Sequence, residues 1–145
     1  MTSHSPNPAA PSAALPRALP HLRRAALAVL ICAAPLLAQA LTVAPYSAQA
    51  LADAQKAGQP VAVHFHASWC PTCRAQDKVF ESLKADPSLN LTLLQADYDT
   101  ETALKQALHV TAQSTVIVWR GTVEKARAVG QTDAAALKTT LQSAL

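Results

Sequence analysis

Two cysteines separated by two residues carry the strongest chemical signal in the sequence. Cys70 and Cys73 lie in the segment WCPTC, residues 69–73. An apolar, β-type run at 61–66 precedes the pair, and a segment with helical spacing of apolar residues, 71–85, follows it. A thiol at a helix N-terminus lies next to unpaired N–H groups and the positive end of the helix dipole, which stabilise a thiolate. We therefore predict that Cys70 attacks a disulfide and that Cys73, one turn further into the helix, resolves the mixed disulfide.

A Cys-x-x-Cys pair also supplies two of the four ligands in a zinc ribbon. Metal binding is therefore the competing interpretation of Cys70 and Cys73. A zinc ribbon needs a second cysteine pair. The sequence has three cysteines in total, and the third, Cys32, lies in an apolar N-terminal segment. The strand before the pair and the helix after it favour redox chemistry over a metal site.

The net charge of +3 belongs to the N-terminal end of the chain. Of the 12 lysines and arginines, three lie in residues 1–40, which contain no acidic residue. Residues 41–145 therefore carry nine basic residues against the nine acidic residues of the whole chain. Because the basic residues form no run, we expect no nucleic-acid partner.

The first forty residues have the pattern of an export signal. The pair Arg23-Arg24 is followed by an apolar run, Ala25–Ala38, and small residues end the segment at Ala40. This pattern predicts a signal peptide at 1–40 that is cleaved after Ala40, and a mature domain at 41–145 in the periplasm. The alternative is an uncleaved inner-membrane anchor, since the apolar stretch extends to Tyr46 and approaches the length of a membrane span.

The mature part predicts an α/β fold, because strand-type and helix-type segments alternate. Such alternation favours parallel strand pairs with helices on both faces, and a hairpin near the end adds antiparallel strands. Ser47, Thr100, and Thr132 or Asp133 are the predicted helix N-caps. The predicted strands are 42–43, 61–66, 89–96, 114–119 and 123–129, and the predicted helices are 48–57, 71–85, one after Thr100 and one after 132 or 133.

These residues together resemble the thioredoxin family over essentially all of 41–145. The resemblance implies a thioredoxin-like fold, a central mixed β-sheet flanked by helices on both faces, and dithiol–disulfide exchange. It also implies a redox-active Cys70–Cys73 disulfide with no other cofactor. The loop WCPTCRA is similar to that of the exported thioredoxins of cytochrome c maturation. The matching segments are VAVHFHASWCPTC at 61–73, LTLLQADYD at 91–99, HVTAQSTVIVWRG at 109–121 and VEKARAVG at 123–130.

Two positions depart from the family pattern. Where the family has a buried acid that moves the proton of the resolving cysteine, this chain has His64, whose imidazole suits the same role. A core histidine hydrogen-bonded to the backbone is the alternative. Where the family has a cis-proline, this chain has Ser114. A non-proline cis bond costs about 2.5–4 kcal/mol, so we expect Ser114 to be trans or strained.

The resemblance also implies which residues contact substrate. The residue before the family's cis-proline pairs its backbone with the bound substrate, and Gln113 occupies that position. His66 lies on the same strand face as His64 and either shapes substrate access or is a partly exposed strand residue. The implied substrate-binding set is Trp69, Pro71, Thr72, Gln113 and Ser114.

The resemblance and the predicted export indicate the partners, and two other functions stay open. We expect protein substrates with thiols or disulfides, a membrane-embedded thiol relay as electron donor, and a monomer. Because Ser114 removes a group that shields the thiols, one alternative is a copper- or zinc-binding carrier that uses Cys70, Cys73, His64 and His66. The other alternative is a non-catalytic module that binds a partner through the loop at Gln113 and Ser114.

Overall fold

A computed structural model describes residues 40–145, which form five strands and four helices in the order β-α-β-α-β-α-β-β-α. The predicted signal peptide, with Cys32, lies outside the described residues except for Ala40. The anchor alternative extends to Tyr46, and the part of it that is described contains the first strand. No helix in the described part of the chain is long and apolar enough to cross a membrane. The strands are β1 (Thr42–Pro45), β2 (Pro60–His66), β3 (Thr92–Asp97), β4 (Thr115–Arg120) and β5 (Val123–Val129). The helices are α1 (Ala48–Lys56), α2 (Pro71–Leu83), α3 (Thr102–Ala107) and α4 (Ala134–Gln142).

The five strands form one mixed sheet in the order β1-β3-β2-β4-β5. β3 runs parallel to both β1 and β2, whereas β4 runs antiparallel to β2 and to β5. The prediction of a mixed sheet closed by a hairpin is therefore confirmed. β2 lies at the centre of the sheet, and its last residue, His66, is followed after a short loop by α2. The cysteine pair is thus held by the central strand and the helix that leaves it.

Side chains alternate between the two faces of β2, which divides the core into two layers. Ala62 faces the layer that also contains Phe80 and Leu83 of α2 and Leu137 and Leu141 of α4. The opposite layer contains Val61, Val63 and Phe65, with Leu51 of α1 and Leu104 of α3 packed against them. The predicted arrangement of helices on both faces is confirmed.

Two of the predicted helix caps are observed. Each is a hydrogen bond within the first turn of its helix. The Ser47 hydroxyl accepts from the amide of Ala50 at 3.1 Å. The Asp133 carboxylate accepts from the amide of Ala136 at 2.8 Å, so Asp133 rather than Thr132 caps α4.

The predicted starts of α3, β3 and β4 are wrong, and the predicted ends of β1 and α2 differ by two residues from the observed Pro45 and Leu83. Thr100 does not cap α3, since that helix begins after Glu101 and has no side-chain cap. β3 begins at Thr92 rather than Leu89, because the amide of Leu89 closes a turn on the carbonyl of Asp86 at 3.1 Å. β4 begins one residue after Ser114, whose φ of +58° is incompatible with an extended strand.

Candidate active site

Cys70 is the N-cap residue of α2. Its backbone is extended, with φ −81° and ψ 117°, and its Sγ accepts a hydrogen bond from the amide of Cys73 at 3.2 Å. Pro71 follows in the first turn, where its missing N–H costs no helical hydrogen bond. The sulfur of Cys70 therefore lies where the free amides at the start of α2 are concentrated.

Both cysteines are free thiols and both are buried, with Cys70 1% and Cys73 0% exposed. They pack against Ala67 and the ring of Tyr98. The two thiols therefore scarcely differ in exposure to solvent. They differ in their acidity instead.

The hydrogen bonds around the two thiols give them opposite pKa shifts. Burial raises the pKa of Cys70, but hydrogen bonds from the Cys73 thiol, the Ser114 hydroxyl and the amides of Cys73 and Thr72 outweigh burial and lower its pKa from 9.0 to about 7. Burial and the hydrogen bond it gives to Cys70 raise the pKa of Cys73. Cys70 is therefore the thiol that ionises first.

Ser114 is in contact with both sulfur atoms. Its Oγ lies 3.2 Å from Sγ of Cys70 and 3.1 Å from Sγ of Cys73, and the residue is 2% exposed. No peptide bond in residues 40–145 is cis, and the φ of +58° places Ser114 in the left-handed region, which few non-glycine residues adopt. The sequence therefore indicated the strained backbone of Ser114 but not its contact with the thiols.

Three hydrogen bonds hold the backbone of Ser114. Its amide donates to the carbonyl of Phe65 at 2.8 Å, on the strand that leads to the cysteine loop. Its carbonyl accepts from the amide of Gly130 at 3.0 Å and from Nε2 of Gln76 at 3.1 Å. Ser114 is thereby tied to β2, to the end of β5 and to α2.

Gln76 is a site residue that the sequence analysis missed. It is 0% exposed and lies one turn after Cys73 on α2. Its Nε2 also donates to the carbonyl of Gln131 at 2.8 Å, and its Oε1 lies 2.8 Å from Nε2 of His64. The available signal was an amide at a position of α2 that the helical period assigns to the core.

His64 is a buried, neutral imidazole. Because the amide nitrogen of Gln76 donates to two carbonyls, its Oε1 must accept from His64, which places the ring proton on Nε2. Nδ1 has no hydrogen-bond partner among the described residues and lies 3.9 Å from a carboxylate oxygen of Asp77. Burial lowers the pKa of His64 to about 4, although the charge of Asp77 acts in the opposite direction.

The structure does not place His64 in direct contact with the resolving cysteine. Among the described residues, the sulfur of Cys73 has hydrogen-bond contacts with the Cys70 sulfur, the Ser114 hydroxyl, the backbone of Ala67 and, at 4.0 Å, the carbonyl of Phe65. His64 reaches this group only through Gln76. It bonds a side chain, and the alternative of a histidine bonded to the backbone is not observed.

His66 is held by α2 rather than turned toward the cysteine loop. Its Nε2 lies 2.9 Å from a carboxylate oxygen of Asp77, and the same carboxylate accepts from Gln95 at 3.1 Å. The rings of His64 and His66 are 5.5 Å apart, edge to face. In residues 40–145, no group of three or more His, Cys, Asp or Glu side chains is arranged to hold a metal ion, so this structure does not assemble the alternative metal ligand set.

The remaining predicted residues lie around the cysteine loop. Trp69 is 57% exposed, and its indole N–H donates to the carboxylate of Asp99 at 2.8 Å. Pro71 is exposed and Thr72 is half-buried. Gln113 is half-buried, and no hydrogen bond within the described residues uses its backbone N–H or carbonyl.

Comparison with known proteins shows similarity to a known protein family. A family model described as Thioredoxin matches residues 42–143. A thioredoxin H-type from Chlamydomonas reinhardtii is 32% identical over 79 residues, which are 54% of this chain and 70% of that protein. The crystal structure of Trxlp from Edwardsiella tarda EIB202 superposes with a TM-score of 0.66 at 38% identity, covering 69% of this chain and 98% of that one.

The same domain also matches part of a larger protein. A bifunctional thioredoxin reductase/thioredoxin from Mycobacterium leprae (strain TN) is 29% identical over 97 residues, which are 67% of this chain. The match spans 21% of that protein, about a fifth of its length.

Proposed function

The chain belongs to the thioredoxin family of thiol–disulfide oxidoreductases, and we propose that it exchanges disulfides with protein substrates through Cys70 as the attacking thiolate and Cys73 as the resolving thiol. The observation that carries the proposal is the difference in acidity between the two thiols. With a pKa of about 7, Cys70 is about half ionised at neutral pH, whereas the pKa of Cys73 is raised. A thiolate with a pKa near the ambient pH combines ionisation with nucleophilicity.

The exchange proceeds in two displacements. The Cys70 thiolate attacks one sulfur of a substrate disulfide, which forms a mixed disulfide and releases the first substrate thiolate. Cys73 loses its proton to that leaving thiolate and attacks Sγ of Cys70. The Cys70–Cys73 disulfide forms, and the second substrate sulfur leaves as a thiolate. The substrate gains two electrons, and the cysteine pair loses two.

The surroundings of Cys70 suit an extended segment of a protein substrate. Trp69 and Pro71 form an exposed edge beside the thiol, and Thr72 lies next to it. Gln113 offers a backbone N–H and carbonyl that no other group in the described residues uses. A substrate strand that paired with Gln113 would satisfy these groups, as strand addition does in other peptide-binding sites. Because Cys70 is 1% exposed, docking must also displace the edge of the loop.

We place this exchange in the periplasm. The support is the sequence of residues 1–40, which combines arginines, an apolar run and small residues at its end. A reductase in that compartment needs electrons from the cytoplasmic side, and a membrane-embedded thiol relay would supply them.

Substrate trapping tests the proposal. In the variant Cys73→Ser, the mixed disulfide on Cys70 cannot be resolved and accumulates. We expect covalent, thiol-reducible complexes with periplasmic proteins in this variant and none in the matched Cys70→Ser variant. Complexes that form equally well in both variants, or in neither, would contradict the assigned roles.

A further inference from the structure

We propose that Ser114 is a catalytic residue, whose hydroxyl donates a hydrogen bond to whichever of the two active-site sulfurs carries the negative charge. The inference rests on the proposed function, because it concerns the two displacements at Cys70 and Cys73. It assigns to Ser114 a role in the reaction that a proline at the same position has no hydroxyl to perform.

The position of the hydroxyl supports the proposal. Its oxygen lies 3.2 Å from Sγ of Cys70 and 3.1 Å from Sγ of Cys73, so it is equally placed to serve either sulfur. A hydroxyl has one hydrogen to donate and two lone pairs that accept. It therefore donates to one sulfur at a time and can accept the S–H of the other. Since Ser114 is 2% exposed, water competes little for the same position.

The hydrogen bond changes direction as the charge moves. In the reduced state, the Ser114 hydroxyl and the Cys73 thiol both donate to the Cys70 thiolate. After Cys70 has attacked, its sulfur is neutral in the mixed disulfide, and rotation of the hydroxyl directs the hydrogen to Cys73. The proton of Cys73 goes to the leaving substrate thiolate, and Ser114 keeps its own proton throughout. No further oxidant, reductant or base is needed.

The backbone conformation and hydrogen bonds of Ser114 also support a catalytic role. A non-glycine residue at φ +58° is strained, and such strain persists where the surroundings hold it in place. Phe65, Gly130 and Gln76 hold its backbone through three hydrogen bonds. His64 in turn fixes the orientation of Gln76. His64 and Gln76 are thus positioning residues for the Ser114 hydroxyl.

The test uses Ser114→Gly and Ser114→Ala, which both remove the hydroxyl but differ in their effect on the backbone. Glycine adopts φ +58° freely, whereas alanine retains the strain of the serine, so the two substitutions differ in backbone strain and share the loss of the hydroxyl. Ser82→Ala removes an exposed hydroxyl at the far end of α2 and is the matched control. The probe is 5,5′-dithiobis(2-nitrobenzoate), an aromatic disulfide that releases one coloured thiolate when Cys70 attacks and a second when Cys73 resolves.

We expect the pH midpoint of the first release to rise by about one unit in both variants, as for the loss of one hydrogen bond to a charged group. The second release should slow by about tenfold at a fixed pH, because Cys73 has lost the same donor. If both variants kept the wild-type pH midpoint and the wild-type rate of the second release, the role of Ser114 would be overturned. The proposed function would not be affected by that result. If the wild-type protein released no second thiolate, or reacted equally well after Cys70→Ser, the proposed function would fail as well.

Discussion

Acidification should destabilise the fold through His64 before any other group of the site. The imidazole is 0% exposed, and burial lowers its pKa from 6.5 to about 4. Between these two values the unfolded chain binds a proton that the folded chain excludes, so stability falls as the pH falls. The protonation of His64 should lower the free energy of unfolding by about 2 kcal/mol between about pH 8 and pH 5, and by about 3 kcal/mol at about pH 4. Well above the unfolded-state pKa of 6.5, His64 makes no contribution to the pH dependence.

Urea unfolding at about pH 8 and about pH 5 measures this loss. His64→Gln keeps a hydrogen-bond donor for Gln76 but cannot be protonated, so its free energy of unfolding should fall by about 2 kcal/mol less than that of the wild type. His109→Asn is the control, since His109 is exposed and asparagine tolerates its φ of +52°. An equal loss of stability in the wild type and His64→Gln would refute the assignment of a buried neutral imidazole.

Two further predictions concern hydrogen bonds that hold the fold around the site. Gln76→Leu should lower the free energy of unfolding by about 2–4 kcal/mol in urea titrations, because it leaves the N–H of His64 buried without an acceptor. The control Gln49→Ala removes an exposed hydrogen bond and should lower the free energy of unfolding by less than about 1 kcal/mol. Equal losses in the two variants would contradict the role of Gln76. Asp133→Ala should lower the free energy of unfolding by about 1 kcal/mol, because α4 loses its N-cap hydrogen bond. Thr132→Ala should change the thermal stability little. If Thr132→Ala were the more destabilising variant, Thr132 would be the cap.

The parts of the fold that depend on neighbours in sequence were predictable. Ser47 and Asp133 cap their helices through amides three residues away, so the residue types indicated them. Leu89 was assigned to the strand that follows it, yet it enters the core from a turn. An apolar run shows that a segment is buried but not which backbone conformation buries it.

The site was predictable up to the cysteine loop and no further. The spacing of Cys70 and Cys73 between a strand and a helix indicated the chemistry. The contacts of Ser114 with those sulfurs join residues 41 and 44 positions apart, and Gln76 reaches Gln131 over 55 positions. Pairings of that kind follow from the sheet topology, which brings the start of β4 against the end of β2. No local pattern encodes them.

The central claim is that Cys70 and Cys73 form a reversible two-electron couple. It is tested most directly by equilibrating the protein in buffers of graded glutathione redox potential, trapping free thiols with an alkylating reagent and measuring the mass. We expect a single two-electron transition to an intramolecular Cys70–Cys73 disulfide, with a midpoint within the range of about −270 to −120 mV that this class of dithiols spans. Thiols that stay alkylatable across the whole range, or oxidation only to intermolecular dimers, would contradict the account.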